Sequence, residues 1–309
     1  MSTAISFPGL GIQIDPKSTL EIGSLSIHLY GLIIAVGLAL AVVYACKRSR
    51  QFGLTADDLT DGVLWIVPLA ILCARLYYCI FEWDNYKTKP IEILYIWNGG
   101  LAIYGGVIGA ALGILLFARM KKVKVGAVLD ITSLGFLIGQ SIGRWGNFFN
   151  REAFGAETDS FLRMGLYKQV TQDGNIFNTS VMHYFHPTFL YESLWNAAGF
   201  ALLHFLSKRR KYDGQIALGY LAWYGLGRTF IEGLRTDSLY LGQFRVSQLL
   251  AAVTCFCGVA LLMFFAFKEH DPAKLQANIF AAQESAKQAE GDDEATEETV
   301  KETNTETNE

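Results

Sequence analysis

The stretch from Gly143 to Gly155 concentrates side chains that can bind an oxygen-rich anion. Two arginines, two asparagines and one glutamate fall within nine residues: Arg144, Asn147, Asn150, Arg151 and Glu152. The planar guanidinium fork matches the geometry of a phosphate group, and amides can donate to further oxygens. Aromatic residues between these side chains suit a membrane–water boundary. The pattern favours a site for an anionic headgroup, although the polar flank of an ordinary membrane helix would have a similar composition.

The composition indicates an integral membrane protein. Of 309 residues, 51% are hydrophobic and 18% are charged, whereas soluble domains usually carry about a quarter charged residues. The five cysteines fall inside or beside the apolar runs, without the spacing of a metal site. We interpret them as small apolar side chains.

Seven apolar segments are each long enough to cross a hydrocarbon core, which needs roughly 20 residues of helix. They are Leu25–Cys46, Leu59–Phe81, Leu101–Ala118, Val125–Ile142, Phe189–Leu206, Gln215–Ile231 and Val246–Phe267. Because the bilayer offers no water to the backbone, spans without barrel-like alternation must be helices. The sequence therefore predicts an all-α polytopic membrane protein with seven transmembrane helices.

The distribution of basic residues predicts the orientation. Three short loops, 47–58, 119–124 and 207–214, together carry 11 lysines and arginines. The positive-inside rule places these loops in the cytoplasm. The N-terminus is then outside, the C-terminus is cytoplasmic, and loop 144–187 faces outward.

The last 39 residues differ in composition from the rest of the chain. Residues 271–309 hold 11 acidic and 3 basic residues and few apolar ones, which is typical of disorder. We therefore divide the chain into an integral membrane catalytic domain, 1–270, and an acidic disordered cytoplasmic tail, 271–309. We expect the tail to be dispensable for the chemistry.

Ionisable residues inside or at the ends of the predicted spans are the second candidate group. They are Arg75, Asp130, Glu192, Arg228 and Glu232. Such residues are costly in a membrane and usually face a partner or a water-filled cavity. Arg228 and Glu232 are four residues apart and so share a helix face. They form either a structural ion pair or part of a site.

Five motifs in order resemble one family. Gly143–Gly155 resembles the hallmark motif of the bacterial phosphatidylglycerol–prolipoprotein diacylglyceryl transferases, matching it as Gly-Arg-x-Gly-Asn-Phe-x-Asn-x-Glu-x-x-Gly. The other matching pieces are Tyr30-Gly31; Gly99-Gly100 with Tyr104-Gly105-Gly106; His186-Pro187-Thr188 with Tyr191-Glu192; and Tyr224-Gly225-x-x-Arg228 with Glu232 and Arg235. The resemblance covers about residues 20 to 270.

The resemblance implies a transfer reaction at the outer leaflet of the bacterial plasma membrane. The diacylglyceryl group of phosphatidylglycerol moves to the lipobox cysteine thiol in the signal peptide of a preprolipoprotein, and glycerol 1-phosphate leaves. The implied partners are these two substrates and the membrane lipids, with no nucleic acid. No metal or organic cofactor is expected, and His183 and His186 lack a Cys or carboxylate at ligand spacing.

The resemblance also assigns roles to residues. The expected catalytic residues are Tyr104, Arg144, Arg228 and Glu232. The expected substrate-binding residues are Arg144, Asn147, Glu152, Gly155, Tyr30, Tyr224 and His186. Fixed arginines stabilise the charge that develops on a leaving phosphate, and a thiol with a pKa of about 8.5 needs a base or a positive field to ionise.

One position departs from the family pattern. Well-known members have histidine where this chain has Tyr104. A phenol with an intrinsic pKa of about 10 is a poor base at neutral pH. Tyr104 therefore either orients the substrate, with a carboxylate or the leaving phosphate taking the proton, or is the base itself.

Two alternative functions are compatible with parts of the pattern. A seven-helix transporter or receptor would use the Arg228–Glu232 pair as a gate and would consume no lipid. A phosphatidyl-alcohol transferase would normally need clustered acidic residues for a divalent metal, and the spans contain no Asp-rich run.

Overall fold

The computed structural model describes residues 4–23, 25–172, 175–236, 240–241, 244–286 and 288–289. Helices dominate them. They include the α-helices α1 Leu29–Arg48, α2 Ala56–Phe81, α3 Trp83–Tyr86, α4 Ile103–Lys121, α5 Val125–Asn150, α6 Thr188–Ser207, α7 Gln215–Leu234 and α8 Val246–Ala266. Every predicted span coincides largely with one of the seven long helices among these.

Five stretches within the described residues are long and apolar enough to cross a membrane. They are Leu29–Phe52, Ala56–Phe81, Ile103–Lys121, Val125–Asn150 and Val246–Ala266. The remaining long helices, α6 and α7, contain Glu192, Arg228 and Glu232. These charged side chains lower the apolarity of α6 and α7, and they mark both helices as candidates for a site.

The all-α prediction is incomplete, because the chain also forms short antiparallel strands. Four of them, β1 Ile5–Phe7, β2 Ile12–Ile14, β5 Met164–Gln172 and β6 Asn175–Phe185, make a sheet in the order β2-β1-β5-β6. Two hairpins add β3 Thr19–Ile22 with β4 Leu25–His28, and β7 Tyr240–Leu241 with β8 Phe244–Arg245. The residues predicted to begin the first span at Leu25 are therefore strand, and α1 starts at Leu29.

The four-stranded sheet covers an apolar cluster at the end of α5. Successive strand residues point to opposite faces, so Ile5 and Phe7 are buried while Ser6 between them is not. They join side chains from β5, β6, α5 and α6, namely Phe148, Met164, Leu166, Phe185 and Phe189. Because this cluster includes Phe148 of the Gly143–Gly155 stretch, the sheet fixes the end of α5.

The chain divides into two compact units, each described separately. Unit 1 comprises Met1–Tyr44, Thr132–Arg209 and Gln215–Lys268, and unit 2 comprises Ala45–Ile131, Arg210–Gly214 and Glu269–Glu309. In unit 1, α8 packs closely on α7, where a Cβ added to Gly225 would lie 2.7 Å from the Ala251 carbonyl oxygen. All the strands lie in unit 1.

In unit 2, α2 and α4 pack through glycines at every fourth position of α4. A Cβ added to Gly105 would lie 2.4 Å from the Cys73 carbonyl oxygen, and one at Gly109 would lie 2.7 Å from the Cys73 Cβ. Small residues let membrane helices approach closely, so close packing of α2 on α4 explains these glycines. The start of α2 is fixed by a capping box in which Thr55 and Asp58 bond to each other's backbone N–H.

The first part of the predicted tail carries structure. Residues 276–286 are helical, and Gln276 is 5% exposed. Its backbone N–H donates to Asp213 Oδ2 at 2.8 Å, and its Oε1 accepts from the Lys124 N–H at 3.1 Å. The predicted disorder of 287 and of 290–309 falls outside the described residues.

Candidate active site

The Gly143–Gly155 stretch is helical for most of its length. Sequence analysis placed it in the loop after Ile142, but α5 continues to Asn150. Glycine weakens a helix by only about 1 kcal/mol, and tertiary packing compensates here. A Cβ added to Gly146 would lie 2.6 Å from the Tyr30 ring, so Gly146 makes room for Tyr30 of α1. Arg144 is therefore held on a helix.

The carboxylate that faces Arg144 comes from α6. This helix begins at Thr188, one residue before the predicted span, and Glu192 lies one turn inside it. The Arg144 Nη2 lies 2.5 Å from Glu192 Oε2. Glu192 is buried, with 4% of its surface exposed. The entrance of α6 is anchored through the Thr188 hydroxyl, which donates to the Ala153 carbonyl.

Two arginines of the last predicted motif also converge on Glu192. Arg228 of α7 donates from Nη1 to Glu192 Oε1 at 3.0 Å and places Nη2 2.6 Å from Glu232 Oε2. The Arg235 Nη1 lies 3.6 Å from Glu192 Oε1. Side chains from three segments of the chain thus meet in what we term the arginine–glutamate cluster: Arg144, Arg228, Arg235, Glu192 and Glu232.

The arginine–glutamate cluster carries more positive than negative charge. Its three guanidinium groups face two carboxylates, so these five side chains together carry one net positive charge. The carboxylates are almost sealed, whereas the Arg144 side chain remains 22% exposed and that of Arg228 16%. A partly open group of cations can bind an incoming anion at low solvent cost.

The two asparagines of the stretch pair with its glutamate, whereas Arg151 pairs with Asp15. Asn147 Nδ2 donates to Glu152 Oε1 at 2.9 Å, and Asn150 Nδ2 donates to the same oxygen at 3.3 Å. Arg151 and Ala153 adopt positive φ values of 54° and 55°, which is uncommon for residues other than glycine. These residues turn the chain sharply after α5 and return it toward α6.

Gly155 lies where the chain leaving this turn meets both α6 and α7. Its N–H donates to the His186 carbonyl at 2.9 Å, and it forms a bridge with Arg235. A Cβ at this position would lie 2.8 Å from the His186 Cβ and 2.9 Å from the Leu234 carbonyl oxygen. Close backbone packing therefore explains Gly155, and its predicted substrate contact stays a prediction.

A small recess opens beside the arginine–glutamate cluster, between α6 and α7. Its lining includes Tyr224, which was predicted to bind substrate, together with Glu192, Trp195, Asn196, Gly227, Arg228 and Ile231. The ring of Tyr224 stacks on Tyr220 at 5.6 Å. The side of Arg228 that faces this recess is thus accessible to a small polar ligand.

Comparison of the amino-acid sequence with known protein families identifies relatives of this chain. The family model described as prolipoprotein diacylglyceryl transferase matches residues 17–264. The chain belongs to this family. It is 42% identical over 265 residues to a phosphatidylglycerol–prolipoprotein diacylglyceryl transferase of Listeria welshimeri, covering 85% of this chain and 95% of the relative.

Further relatives with the same name agree. One from Limosilactobacillus reuteri is 44% identical over 244 residues, covering 78% of this chain and 88% of the relative. One from Bacillus licheniformis is 41% identical over 263 residues, covering 83% and 94%. The resemblance inferred from the five motifs is confirmed.

Tyr104, the residue that departs from the family pattern, belongs to unit 2. It lies in the first turn of α4, is 43% exposed, and has its ring 6.5 Å from that of Tyr77. The Gly99-Gly100 motif before it has φ values of 84° and 75°, which only glycine adopts readily. The other predicted site residues lie in unit 1, so a shared role with Tyr104 stays a prediction.

Arg75 organises the loop that carries the family's Gly99-Gly100 motif. Its guanidinium donates to the carbonyls of Glu92, Ile93, Gly99 and Gly100 at 2.6 to 2.9 Å. A Cβ at Gly100 would lie 2.4 Å from Arg75 Nη1. Sequence analysis noted Arg75 as an ionisable residue in a span but assigned it no role.

Glu192 and Arg235 were not predicted as site residues, although both belong to motifs that match the family. Their signal was present, since Glu192 is an ionisable residue within an apolar span. Of the predicted binding residues, Tyr30 contacts Gly146, and His186 Nδ1 is 3.3 Å from the Tyr191 hydroxyl.

The described residues contain no group of three His, Cys, Asp or Glu side chains arranged as metal ligands. His183 Nδ1 instead lies 3.1 Å from Glu157 Oε1. The expectation that the reaction needs no cofactor stays a prediction.

Proposed function

We propose that this protein transfers the diacylglyceryl group of phosphatidylglycerol to the lipobox cysteine thiol of preprolipoproteins and releases glycerol 1-phosphate. The observation that carries the proposal is the convergence of Arg144, Arg228 and Arg235 on the buried Glu192, in a chain of this transferase family. The names of its relatives support the same pair of substrates.

The chemistry is a displacement at carbon. The cysteine sulfur attacks the terminal glyceryl carbon that carries the phosphate, a carbon–sulfur bond forms, and the carbon–oxygen bond to phosphate breaks. The electron pair of that bond leaves with glycerol 1-phosphate, and the negative charge on its phosphate increases as it departs. Arg144 and Arg228 stabilise this charge, and Glu192 and Glu232 hold the two guanidinium groups in place before the substrate arrives.

The thiol proton needs an acceptor, and Tyr104 is a poor one. We assign Tyr104 the role of a hydrogen-bond donor to substrate, because a neutral phenol is a good donor and a weak base at pH 7. The departing phosphate, which becomes more basic as the carbon–oxygen bond breaks, then takes the proton. Asn147, Glu152, Tyr30, Tyr224 and His186 are proposed to shape the headgroup site.

The proposed setting is the bacterial plasma membrane, with seven long helices crossing it. The N-terminus lies outside, the C-terminus lies in the cytoplasm, and the arginine–glutamate cluster faces the outer leaflet. The basic loops 47–58, 119–124 and 207–214 support this orientation. We propose residues 1–270 as the catalytic domain and the last residues of the chain as a cytoplasmic tail.

The test is a transfer assay with the purified full-length protein. It is incubated with phosphatidylglycerol and a peptide containing a lipobox cysteine, and the peptide is analysed by mass spectrometry. We expect a mass increase of one diacylglyceryl group on cysteine and one glycerol 1-phosphate released per peptide modified. A cysteine-to-serine peptide is the control. Intact donor lipid and unmodified peptide would instead favour a transporter or receptor.

A further inference from the structure

Asn196 is a buried polar residue that the site described so far does not use. It is 2% exposed, and its side chain makes no hydrogen bond with any residue that the structure describes; its Oδ1 is buried without a partner. An amide offers two donors and one acceptor oxygen, and leaving them unpaired in the interior costs free energy. A buried amide in this condition indicates that a ligand completes its hydrogen bonds.

The position of Asn196 shows where that ligand would lie. Asn196 is one turn after Glu192 on α6, so both residues are on one face of the helix. Asn196, Arg228 and Tyr224 line the same recess. Four residues of helix rise about 6 Å, which is comparable with the span from a phosphate to the hydroxyl groups of its glycerol ester.

The size and lining of the recess restrict the chemistry of the ligand. The recess is partly open to solvent and has room for about one water-sized group, about 10 Å³. It therefore admits a single hydroxyl group and excludes an acyl chain. The neighbouring guanidinium group attracts the phosphate, and the amide is left to donate to and accept from a neutral hydroxyl.

We infer that Asn196 binds a hydroxyl group of the glycerol that is esterified to the phosphate, both in the donor lipid and in the leaving group. The inference rests on the proposed function, because it takes its ligand from that reaction. Asn196 then determines selectivity for a polyol headgroup. A headgroup without these hydroxyls leaves the amide unpaired, and such sites discriminate strongly against analogues that lack the bonding group.

The test compares two soluble phosphates on the full-length protein in detergent without phosphatidylglycerol. The probes are glycerol 1-phosphate and propyl phosphate, which have the same phosphate and carbon chain but differ in two hydroxyl groups. Affinity is measured from the concentration dependence of the melting temperature. We expect the wild type to bind glycerol 1-phosphate about three- to tenfold more tightly, the range for a net hydrogen bond. We expect Asn196→Leu to bind both probes equally.

The matched control is Ser193→Ala, which removes a buried hydroxyl from the same helix. Ser193 bonds to Ser141 and Trp145 and does not line the recess, so this variant should keep the preference. If Asn196→Leu does not fold, Asn196→Ser replaces it with the same expectation. Equal binding of both probes by the wild type, or a preference retained by the folded Asn196 variant, would overturn the inference. Failure of the wild type to lipidate the peptide would instead count against the proposed function.

Discussion

Two groups of paired ions in this protein differ in their net charge and in how deeply their arginines are buried. The arginine–glutamate cluster of unit 1 has three cations for two carboxylates, and its arginine side chains are 12% to 22% exposed. The second group, which we term the Arg210 cluster, lies in unit 2 and contains Arg210, Lys124, Asp130 and Asp213. Its four side chains balance in charge, although Arg48 also acts on Arg210. Arg210 is 3% exposed, whereas Lys124 at the edge of the cluster is 43% exposed.

The Arg210 cluster is satisfied by the backbone around it. The Arg210 Nη2 donates to the Gln51 carbonyl at 2.6 Å, and its guanidinium lies 4.3 Å from the centre of the Phe52 ring. Asp130 accepts from the Gly214 N–H at 2.9 Å. Burial lowers the pKa of the Arg210 guanidinium, and the nearby Asp130 and Asp213 oppose that shift. The cluster joins α5 to the 210–214 loop.

The comparison separates the two roles that ionisable residues play in membrane proteins. The buried centre of the Arg210 cluster, formed by Arg210, Asp130 and Asp213, has no access for a ligand, so substitution there should change stability. A cluster with surplus positive charge and partly exposed arginines can bind an anion, so its substitution should change the rate. The predictions below test that division.

The largest expected effect is on stability, for Arg210→Ala. Removing one partner of a buried ion pair leaves uncompensated charge and typically costs about 3–5 kcal/mol. We expect a large drop in melting temperature, while the protein that remains folded transfers diacylglyceryl at nearly the wild-type rate. Lys211→Ala, at an exposed neighbouring position, is the control. A folded Arg210→Ala protein without activity would contradict the assignment of the Arg210 cluster to stability alone.

A matched pair of substitutions sharpens the comparison. Glu192→Gln and Asp130→Asn each convert a buried carboxylate into an amide. Because Glu192 orients three arginines, loss of its charge-assisted bonds, worth about 1.5–3 kcal/mol, should slow transfer roughly ten- to a hundredfold. Asp130→Asn should lower the melting temperature without slowing the folded enzyme. The initial rates and melting temperatures of both variants decide this, and equal rate losses would contradict the account.

Tyr104→Phe tests the donor role in unit 2. Loss of one hydrogen bond should cost roughly 1–3 kcal/mol, or about ten- to a hundredfold in rate. Some activity should therefore remain, with a pH–rate profile like that of the wild type. If the phenolate is the only base, Tyr104→Phe will be inactive at every pH while Tyr104→His is active with a lower pH optimum, and the donor assignment will be wrong.

The smallest effects concern the C-terminus. Truncation after Asp271 removes Gln276 and its bonds to Asp213 and Lys124, at about 1 kcal/mol for each bond lost. We expect a lower melting temperature with unchanged specific activity. Truncation after Ala289 keeps these bonds and should change neither quantity. Equal melting temperatures for the two truncations would show that the docked segment contributes nothing to stability.

The apolar runs and short motifs of the sequence were sufficient to predict the long helices and the family. The apolar runs predicted the seven long helices because a span must hide its backbone polar groups, whatever its neighbours. The start of α6 at Thr188 lies one residue before the predicted span. The motifs supplied Arg144, Arg228 and Glu232, which meet in the arginine–glutamate cluster.

Features that depend on partners distant in the sequence were missed. The extension of α5 through Gly146 depends on Tyr30, and the central place of Glu192 depends on arginines from two other segments. Strands β1 and β2 have three residues each, which is too short an alternation to recognise. Strands β5 and β6 have nine and eleven residues, but they lie within loop 144–187, which we interpreted only as a connection between spans. Gln276 docks where Gly53 leaves space, since a Cβ at Gly53 would lie 2.4 Å from the Gln276 carbonyl oxygen, and composition alone cannot show this.

The central claim is that surplus positive charge in the arginine–glutamate cluster drives the departure of the phosphate. The most direct measurement is the initial rate of thioether formation, followed by mass, for wild type and Arg144→Ala at equal folded concentration. Loss of one such preorganised donor typically costs about 10²–10³ in rate. We therefore predict a drop of that size with an unchanged melting temperature, and only partial recovery in Arg144→Lys, which lacks the planar fork. Near-normal turnover by Arg144→Ala would contradict the account.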